Sequence, residues 1–533
     1  MRPESFLVDV GGGVVCCRIT GNGPPALAIP AGNGPQPILP LLNRLSERFT
    51  VVLVDIPGYL RSDPLPMPEP SIADYADAMA CLMERLGQPR YLVFGSHTGA
   101  SIAGELALRH PSRCARVVLH EGTFLPEAAR PAMIANYMPA YEPVWHGAHQ
   151  VGLWQRFREQ ELFRPWLNKG NRIAGAGDDS TKIDEMFIVQ AAAGPTYGDC
   201  YVAVFRHDLS PTVRALSVPF RITATNEPWL AGPRAAGFNA EHVSNDEGPA
   251  LYGDWFAAAA LPAMVGRPAA SATATKRLVV ANGHHLMVRR QGSGEPSLVI
   301  PQLPGPAVTA QPILDGLGDS VVPELSGNGD SFGPPSQPSV SRWADDAAAV
   351  MAATAMANAS VVGIGTGAIV ATELARRGLV DNLVLVNPPL AAPALREELR
   401  RRYAADIAPH WDGTHLVRLW QALRNEALFW PWYDQRPEAT RRIVPDLDVA
   451  TLEARSVGIL KHAASYAAAC EALFGYDLVA NIVGFRRPTR IVTIRRDLFA
   501  ELSADAASLF GGAPHVRIDP PVEDASQVFK KVL

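Results

Sequence analysis

His97 is the residue whose type and setting most clearly suggest chemistry. It stands at the centre of Gly95-Ser96-His97-Thr98-Gly99, between an apolar run that begins at Tyr91 and a helical stretch from Ala100 to Arg109. Small residues around the central position let a strand and a helix pack closely while one side chain projects from the turn. An imidazole at that position can act as a general base, because it exchanges protons near neutral pH, or as a nucleophile through an acyl-imidazole.

Two alternatives to a functional His97 remain open. Ser96 could be the nucleophile if the turn were shifted by one residue, but such a turn would lack the flanking glycines. A second copy of the stretch at residues 361–368 shares the Thr-Gly-Ala sequence and aligns Gly365 with His97. The copy therefore favours the turn centred on His97 and predicts no side chain at its own centre. His97 could also be a remnant that merely fits an exposed turn.

This strand, turn and helix resemble the nucleophile elbow of the α/β-hydrolase family. The segment Asp55–Ser62 is similar to the Asp-x-Pro-Gly-x-Gly-x-Ser turn of the same family. The family has Ser, Asp or Cys at the centre of the elbow, where this chain has His97. The resemblance covers nearly the whole chain as two tandem domains. It implies a nucleophile, a histidine that takes its proton, an acid that orients the histidine, and an oxyanion hole.

The partner histidine that the resemblance implies is missing. In the family it belongs to a Gly-His pair just after the last strand, and here Gly248 occupies the position that follows Asp246-Glu247. His242 and His515 are predicted to open the last strands of the two copies, and therefore to lie at the far ends of those strands as structural residues. Hydrolysis of an ester or amide by the usual triad is not expected.

Two carboxylates could orient His97. Glu121 follows the predicted strand Arg116–His120 and is the preferred partner, whereas Glu227 follows the predicted strand Phe220–Thr225 and is the reserve. A carboxylate beside the imidazole would fix its tautomer. Either residue could instead be a solvated loop carboxylate.

The oxyanion hole implied by the resemblance depends on main-chain donors. Its N–H groups would come from Gly32 and Asn33 in the loop after an early strand, and from Thr98, which follows the elbow residue. The helix after Gly99 adds the positive end of its dipole. The pocket could therefore polarise a carbonyl group or hold a carboxylate even with an incomplete triad.

Aromatic and arginine residues become frequent between about residues 124 and 210, which resembles the helical cap of hydrolases. Within this stretch His149 and Arg158 recur in the second half as His415 and Arg424. Both could bind substrate, but nine residues of one helix turn through about 900°, so the two side chains face opposite sides. At least one of them is expected to make a structural contact between cap and core.

An internal repeat divides the chain. The segment from Trp145 to Trp166 aligns without gaps with the segment from Trp411 to Trp432. We therefore predict an α/β-hydrolase-like domain at 1–262 with its cap at about 124–210, a linker at 263–275, and a second, degenerate domain at 276–533 with its cap at about 390–480. Each domain should be a mostly parallel sheet with helices on both faces. The tandem copies could mimic a homodimer of single-domain relatives, as a pseudo-dimer.

The composition and motifs of the chain limit the kinds of partner and cofactor that we expect it to bind. A net charge of -5 without a Lys/Arg cluster argues against nucleic-acid binding. Neither a membrane-spanning apolar run nor a signal sequence is visible, which predicts a cytoplasmic protein. The six scattered cysteines show no ligand spacing, so no metal site is expected. Gly363 and Gly365 lack the third glycine of a dinucleotide site, so no cofactor is expected either.

Three classes of function remain. The first is an enzyme that acts through His97 on a small, largely apolar carbonyl compound, by hydrolysis or by non-hydrolytic proton transfer, C–C cleavage or cyclisation. The second is a ligand-binding pseudoenzyme, and the third is a structural or interaction subunit. A cavity that holds His97 and Glu121 within hydrogen-bond reach would favour the first class. The expected partner is a small-molecule substrate or ligand, and a homo-oligomer is possible.

Overall fold

The computed structural model describes residues 3–173, 179–266, 275–314, 316–333, 337–356, 359–483, 485–495 and 497–518. The chain divides into two compact units. Unit 1 comprises Met1–Glu142 and Leu153–Thr273, and unit 2 comprises Pro143–Gly152 and Ala274–Leu533. Most of the linker predicted at 263–275 lies outside the described residues.

Unit 1 is built around an eight-stranded sheet. Its strands are β1 (Glu4–Asp9), β2 (Val14–Thr20), β3 (Pro25–Ile29), β4 (Thr50–Val54), β5 (Tyr91–Ser96), β6 (Cys114–His120), β7 (Phe220–Ala224) and β8 (Ala240–His242). Their order across the sheet is β1-β2-β4-β3-β5-β6-β7-β8. The pairs β1/β2 and β2/β4 are antiparallel, and all later neighbours are parallel. The carboxyl ends of the parallel strands therefore share one edge, where ligands bind in open α/β sheets.

The helices of unit 1 either pack on the two faces of this sheet or form a cap. They are α1 (Leu39–Leu45), α2 (Ile72–Arg85), α3 (Thr98–Arg109), α4 (Arg130–Asn136), α5 (Ala148–Leu162), α6 (Ser180–Ala191), α7 (Asp199–Arg206), α8 (Leu209–Arg214), α9 (Glu227–Ala235) and α10 (Gly248–Ala257). Alternate residues of a strand point to opposite faces. Val52 and Val54 therefore pack with residues of α2 and α3, whereas Val51 and Leu53 pack with residues of α1 and α10.

Helices α4 to α8 lie between β6 and β7 in the chain and form the cap of unit 1, except that the start of α5, as far as Gly152, belongs to unit 2. Asp179 begins α6 by accepting hydrogen bonds from the backbone N–H groups of Thr181 and Lys182. Asp208 caps α8 in the same way through the N–H of Ser210. Short aspartate side chains satisfy backbone donors that have no acceptor within the helix. The cap thus has local start signals in the sequence.

Unit 2 repeats the strand order of unit 1. Its strands are β9 (Lys276–Ala281), β10 (His284–Gln291), β11 (Pro296–Ile300), β12 (Asp319–Pro323), β13 (Ser360–Ile364), β14 (Leu383–Val386), β15 (Thr489–Ile494) and β16 (His515–Ile518). They lie in the order β9-β10-β12-β11-β13-β14-β15-β16. Only β9/β10 and β10/β12 pair antiparallel among these neighbours.

The helices of unit 2 follow the same plan. They are α11 (Gln311–Leu314), α12 (Val340–Ala353), α13 (Gly367–Arg376), α14 (Pro393–Arg402), α15 (Thr414–Glu426), α16 (Val449–Leu460), α17 (Ala463–Gly475), α18 (Leu478–Asn481) and α19 (Ala506–Leu509). Helices α14 to α18 lie between β14 and β15 and form a second cap. Two mostly parallel sheets, each with its own cap, confirm the predicted fold class.

The last strand of unit 1 corrects one prediction. β8 ends at His242 instead of beginning there, so this residue lies at the carboxyl edge of the sheet. Its Nε2 lies 3.0 Å from the carbonyl oxygen of Thr225. A strand of three residues carries too little periodicity for its first and last residues to be predicted from the sequence. His515 does open β16, as predicted, and the segment after residue 518 lies outside the described residues.

Candidate active site

His97 forms the turn between β5 and α3, at the carboxyl edge of the sheet. Its backbone has φ +50° and ψ -111°, a region that residues with a Cβ rarely adopt. Glu121 and, in unit 2, Gly365 also have positive φ angles, of +54° and +53°. Strained backbone of this kind persists only where the surrounding packing enforces it. Here the sharp turn directs the imidazole away from the strand, and the side chain lines a cavity.

Two glycines enforce the turn. A Cβ atom on Gly95 would lie 2.2 Å from the carbonyl oxygen of Gly99, and a Cβ atom on Gly99 would lie 2.1 Å from the carbonyl oxygen of Ile29. Both distances are well below van der Waals contact. The strand and the helix can therefore approach this closely only because both positions are glycine.

Glu121 follows β6 and pairs with His97. Its Oε2 lies 2.9 Å from Nε2 of His97, and its Oε1 accepts hydrogen bonds from the backbone N–H and the hydroxyl of Thr225. Burial acts to raise the pKa of Glu121, but the hydrogen bond and charge of His97, aided by His120 and Thr225, outweigh it and hold the pKa well below its usual range. Glu121 is therefore an ionised carboxylate at neutral pH.

This pairing determines the tautomer of His97. An ionised carboxylate can only accept, so Nε2 of His97 carries the hydrogen and Nδ1 of the neutral ring keeps its lone pair. Within the described ranges, no residue forms a hydrogen bond to Nδ1. Trp229 packs edge-on against the imidazole, with 4.7 Å between the ring centroids, and limits its rotation. The arrangement leaves a basic nitrogen available to a ligand.

The cavity that His97 lines has a volume of about 640 Å³. Residues at the carboxyl ends of the strands, residues of the cap and the start of α9 form its walls. Aromatic side chains supply much of the surface, among them Phe124, Tyr137, Phe163, Trp166, Phe205 and Trp229. Both the volume and the apolar lining are those of a small-molecule site.

His120 is a second histidine at the cavity, but it is buried and engaged. Its Nδ1 lies 3.1 Å from the hydroxyl of Thr223 and 3.2 Å from that of Tyr252, and its ring stacks on Phe94. Burial lowers the pKa of His120 to about 4, although Glu121 opposes this effect. His120 is therefore neutral at pH 7 and supports the base of the site without carrying charge.

The burial of His120 predicts how the stability of the protein depends on pH. His120 has an ordinary pKa of 6.5 and a folded pKa of about 4. Its contribution to stability is therefore complete above pH 6.5 and is lost as the pH falls towards 4, because the unfolded chain binds the proton more readily. We expect the free energy of unfolding, measured by urea denaturation, to fall less between pH 7 and pH 4 in His120→Gln than in the wild type. Parallel pH profiles of the two proteins would contradict this account.

Ser96 lies beside the elbow but has no activating partner. Its side chain is 2% exposed and borders the cavity. Across the described part of the chain, no histidine forms a hydrogen bond with its hydroxyl. A serine hydroxyl is a weak nucleophile without an adjacent base.

The predicted oxyanion donors differ in availability. The prediction that Gly32 supplies a donor is corrected, because its N–H already donates to the hydroxyl of Thr98 at 3.3 Å. Thr98 begins α3, where backbone N–H groups lack acceptors within the helix. Asn33 borders the cavity, and its side-chain amide lies 3.2 Å from the sulfur of Met186. Thr98 is thus the best-placed donor of the predicted set.

Three predicted site residues do not reach the cavity. Glu227 is exposed and forms an ion pair with Arg234 at 2.7 Å. His149 belongs to unit 2, where its Nε2 lies 2.8 Å from Glu453 and its ring packs against Trp420. Arg158 is not among the residues that line the cavity. Sequence position alone could not separate these residues from Glu121, because which of them reaches the cavity depends on how the strand ends and the cap pack together.

Three further residues line the cavity without having been predicted. Asn245 follows β8, near the place where the resemblance implies a histidine. Trp229 contacts His97, and Arg164 lies with its guanidinium carbon 5.2 Å from the Trp229 ring centroid. Neither Trp229 nor Arg164 belongs to a recognisable motif. The aromatic and arginine-rich composition of the cap was the only sequence signal for Arg164.

The corresponding turn of unit 2 lacks ionisable side chains. Gly365 takes the place of His97, and a Cβ atom there would lie 3.3 Å from the buried ring of Phe499. Asn387 follows β14 and forms hydrogen bonds with the backbone of Ile494, donating at 3.0 Å and accepting at 2.9 Å. Gly365 and Asn387 therefore supply no acid or base themselves, and the Asn387 side chain retains structural contacts, one of them with Asp497.

Two searches of the described residues gave negative results. No group of three or more His, Cys, Asp or Glu side chains lies together in an arrangement that could hold a metal ion. Over the same part of the chain, no helix has the length and apolar character needed to cross a membrane.

Comparison with known proteins gives one family match and several similar structures. The family model described as the alpha/beta hydrolase fold matches residues 26–202. An uncharacterized protein of Mycobacterium tuberculosis is 32% identical over 103 residues, which are 19% of this chain and 30% of the relative, and one of Mycobacterium bovis matches equally. The chain thus spans less than a third of the length of these curated relatives.

The similar solved structures each cover about half of this chain. E-2-(acetamidomethylene)succinate hydrolase is 20% identical over 48% of this chain and 97% of its own, with a TM-score of 0.37. The enol-lactonase from Burkholderia xenovorans has the same four values. The meta-cleavage product hydrolase CumD, in its A129V form, is 16% identical over 48% of this chain and 96% of its own, with a TM-score of 0.36.

Proposed function

Since this chain belongs to the α/β-hydrolase superfamily, as its match over residues 26–202 indicates, we propose that unit 1 is an enzyme whose general base is His97. Its substrate is a small, largely apolar carbonyl compound. The observation that carries the proposal is the 2.9 Å contact between Nε2 of His97 and the buried Glu121 at the cavity wall. It leaves Nδ1 as the proton acceptor, in a cavity whose walls include several aromatic side chains.

The proposed step is removal of a proton from the carbon next to a carbonyl group. The C–H electron pair becomes the C=C bond of an enolate while the carbonyl π electrons move to oxygen. The N–H of Thr98 and the positive end of the α3 dipole stabilise the negative oxygen. Glu121 stabilises the imidazolium that forms on His97. Return of the proton to another carbon, ring closure or loss of a leaving group would complete the reaction.

Hydrolysis is the alternative reaction that the same base could catalyse. His97 would then take a proton from a water molecule that attacks the carbonyl carbon. Non-hydrolytic proton transfer is the better supported of the two, because neither Ser96 nor Asn245 supplies the nucleophile or second histidine of a triad.

A ligand-binding pseudoenzyme is the second candidate function. The observation that favours it is Asn245 near the position where the family has its catalytic histidine, together with a cavity of about 640 Å³ that persists. For unit 2 we propose a silent scaffold, since Gly365 and Asn387 supply no reactive group. The predicted domain limits, 1–262 and 276–533, and the cytoplasmic location remain parts of the same proposal.

The test uses two substrates that report different chemistry. Opening of 5-nitrobenzisoxazole requires only a base that removes one C–H proton, whereas a panel of aryl esters requires attack by water or a side chain. We expect the full-length wild type to open the benzisoxazole faster than free imidazole at the same concentration. Ser96→Ala should retain this activity. Ester turnover that disappears only in Ser96→Ala would identify a serine hydrolase, and inactivity towards both probes would favour the pseudoenzyme.

A further inference from the structure

Arg164 is a charged residue of the cavity that the proposed mechanism does not use. It lies in the cap, two residues after α5, and its side chain is half-buried at the cavity wall. Its guanidinium carbon lies 5.2 Å from the Trp229 ring centroid, a cation–π contact. Its backbone is bonded to Asn171, but among residues with described positions none forms a hydrogen bond or an ion pair with its guanidinium group. A cation therefore faces the cavity without a counter-charge.

The acids of the cavity are already engaged elsewhere. Glu121 is held by His97 and Thr225. Glu161 forms an ion pair with Lys182, which also lines the cavity. The charges of these two pairs therefore largely cancel within the cavity. Arg164 remains the uncompensated charge in this part of the described structure.

A second cation lies behind the aromatic wall. Arg156 is 3% exposed, and its Nε and Nη1 atoms lack hydrogen-bond partners among the described residues. Its guanidinium carbon lies 4.9 Å from the Tyr137 ring centroid and 5.9 Å from that of Tyr201, and both rings line the cavity. A buried charge without a carboxylate partner costs folding free energy. The field of Arg156 adds to the positive potential at the cap side of the cavity.

Trp229 supplies a neutral donor at the same place. Its indole Nε1 is buried and has no hydrogen-bond acceptor among the described residues. Buried N–H groups without acceptors are rare in folded proteins. The same ring contacts both His97 and Arg164. A ligand that bridges Arg164 and Nε1 would therefore lie one aromatic ring away from the base.

We propose that Arg164 and Trp229 form a carboxylate subsite, so that the substrate is an apolar carbonyl compound that bears a carboxylate. This inference rests on the proposed function, because it names the substrate class of the same cavity. The planar guanidinium fork matches a carboxylate bidentately, and the indole N–H can donate a further hydrogen bond. The aromatic walls take the apolar body of the substrate and leave its carbonyl group towards His97.

The test is a binding experiment that does not depend on turnover. Fluorine NMR of the full-length protein measures Kd for 4-(trifluoromethyl)phenylacetate and for its neutral amide, which has nearly the same shape. We expect the wild type to bind the carboxylate about 10-fold or more tightly than the amide, because a charge-assisted hydrogen bond contributes that much. Arg164→Gln should remove the preference and leave the amide affinity unchanged. Arg164→Lys should retain only part of it.

Two controls separate this inference from the proposed function. Arg158→Gln removes a cap arginine that does not line the cavity and should retain the carboxylate preference. Glu227→Gln, which alters a carboxylate outside the cavity, should also retain it. Equal or undetectable binding of both probes by the wild type, or an unchanged preference in Arg164→Gln, would overturn the subsite. Benzisoxazole turnover would still report on His97 in that case.

Discussion

Replacing His97 with alanine is expected to lower the rate of 5-nitrobenzisoxazole opening by about 10²- to 10⁴-fold, the usual contribution of a positioned general base. The side chain is the only basic group at this turn, and its Nδ1 lone pair is free because Nε2 is bonded to Glu121 at 2.9 Å. Alanine leaves the fold of the turn in place but removes the proton acceptor. The measurement is kcat/KM for the full-length protein at pH 7.

Glu121→Gln provides the test of the pair. The glutamine amide can donate to Nε2 and so leave the hydrogen on Nδ1, which removes the free lone pair. We expect a loss of about 10²-fold or more, by analogy with the effect of neutralising the acid of a triad. The double variant with His97→Ala should be no slower than His97→Ala alone, since the two groups act as a unit. Independent, additive losses would mean that Glu121 does not act through His97.

Both variants have controls within the chain. Glu227→Gln alters the other carboxylate that the sequence suggested, and Glu227 is paired with Arg234 outside the cavity. This change should leave the rate within about 2-fold of the wild type, because surface ion pairs contribute little. A wild-type rate in His97→Ala, or a large loss in Glu227→Gln, would show that the base has been misidentified.

Gly99→Ala is expected to have the largest effect on stability, a loss of about 3 kcal/mol or more in the free energy of unfolding. Its Cβ atom would lie 2.1 Å from the carbonyl oxygen of Ile29. The carbonyl oxygen belongs to the backbone and the position of a Cβ atom is fixed by the backbone, so the strain cannot be relieved by rotating a side chain. Urea denaturation of the full-length protein measures the loss, and a smaller soluble fraction would indicate the same strain.

Two other helical glycines serve as comparisons, because an added Cβ atom would meet less obstruction at each of them than at Gly99. A Cβ atom on Gly104, later in α3, would lie 3.0 Å from a methyl group of Leu209, which can move, so Gly104→Ala should lose less than Gly99→Ala. Gly152 in α5 has open space around the added atom, and Gly152→Ala should be neutral or stabilising by up to about 1 kcal/mol. Equal effects at Gly99 and Gly152 would show that close packing does not determine the turn.

Much of the fold could be predicted because its signals are local. α3 ends at Arg109, where the predicted helical stretch ends, and β6 ends at His120, where the predicted strand Arg116–His120 ends. Apolar runs and helical periodicity determine such elements within a short window. The prediction of the boundaries of β8 was wrong because this strand has only three residues. It is held in place by pairing with β7 and has no periodic pattern of its own.

The sequence by itself determined the residue types at the turn, since Gly95 and Gly99 limit the local backbone and His97 is the side chain between them. It also determined the repetition of the plan in unit 2. Only the tertiary structure decided between Glu121 and Glu227 as the partner of His97. That choice depends on which strand ends meet at the carboxyl edge of the sheet. The same reason applies to Arg164, which reaches the cavity through the packing of a cap segment that the sequence does not position.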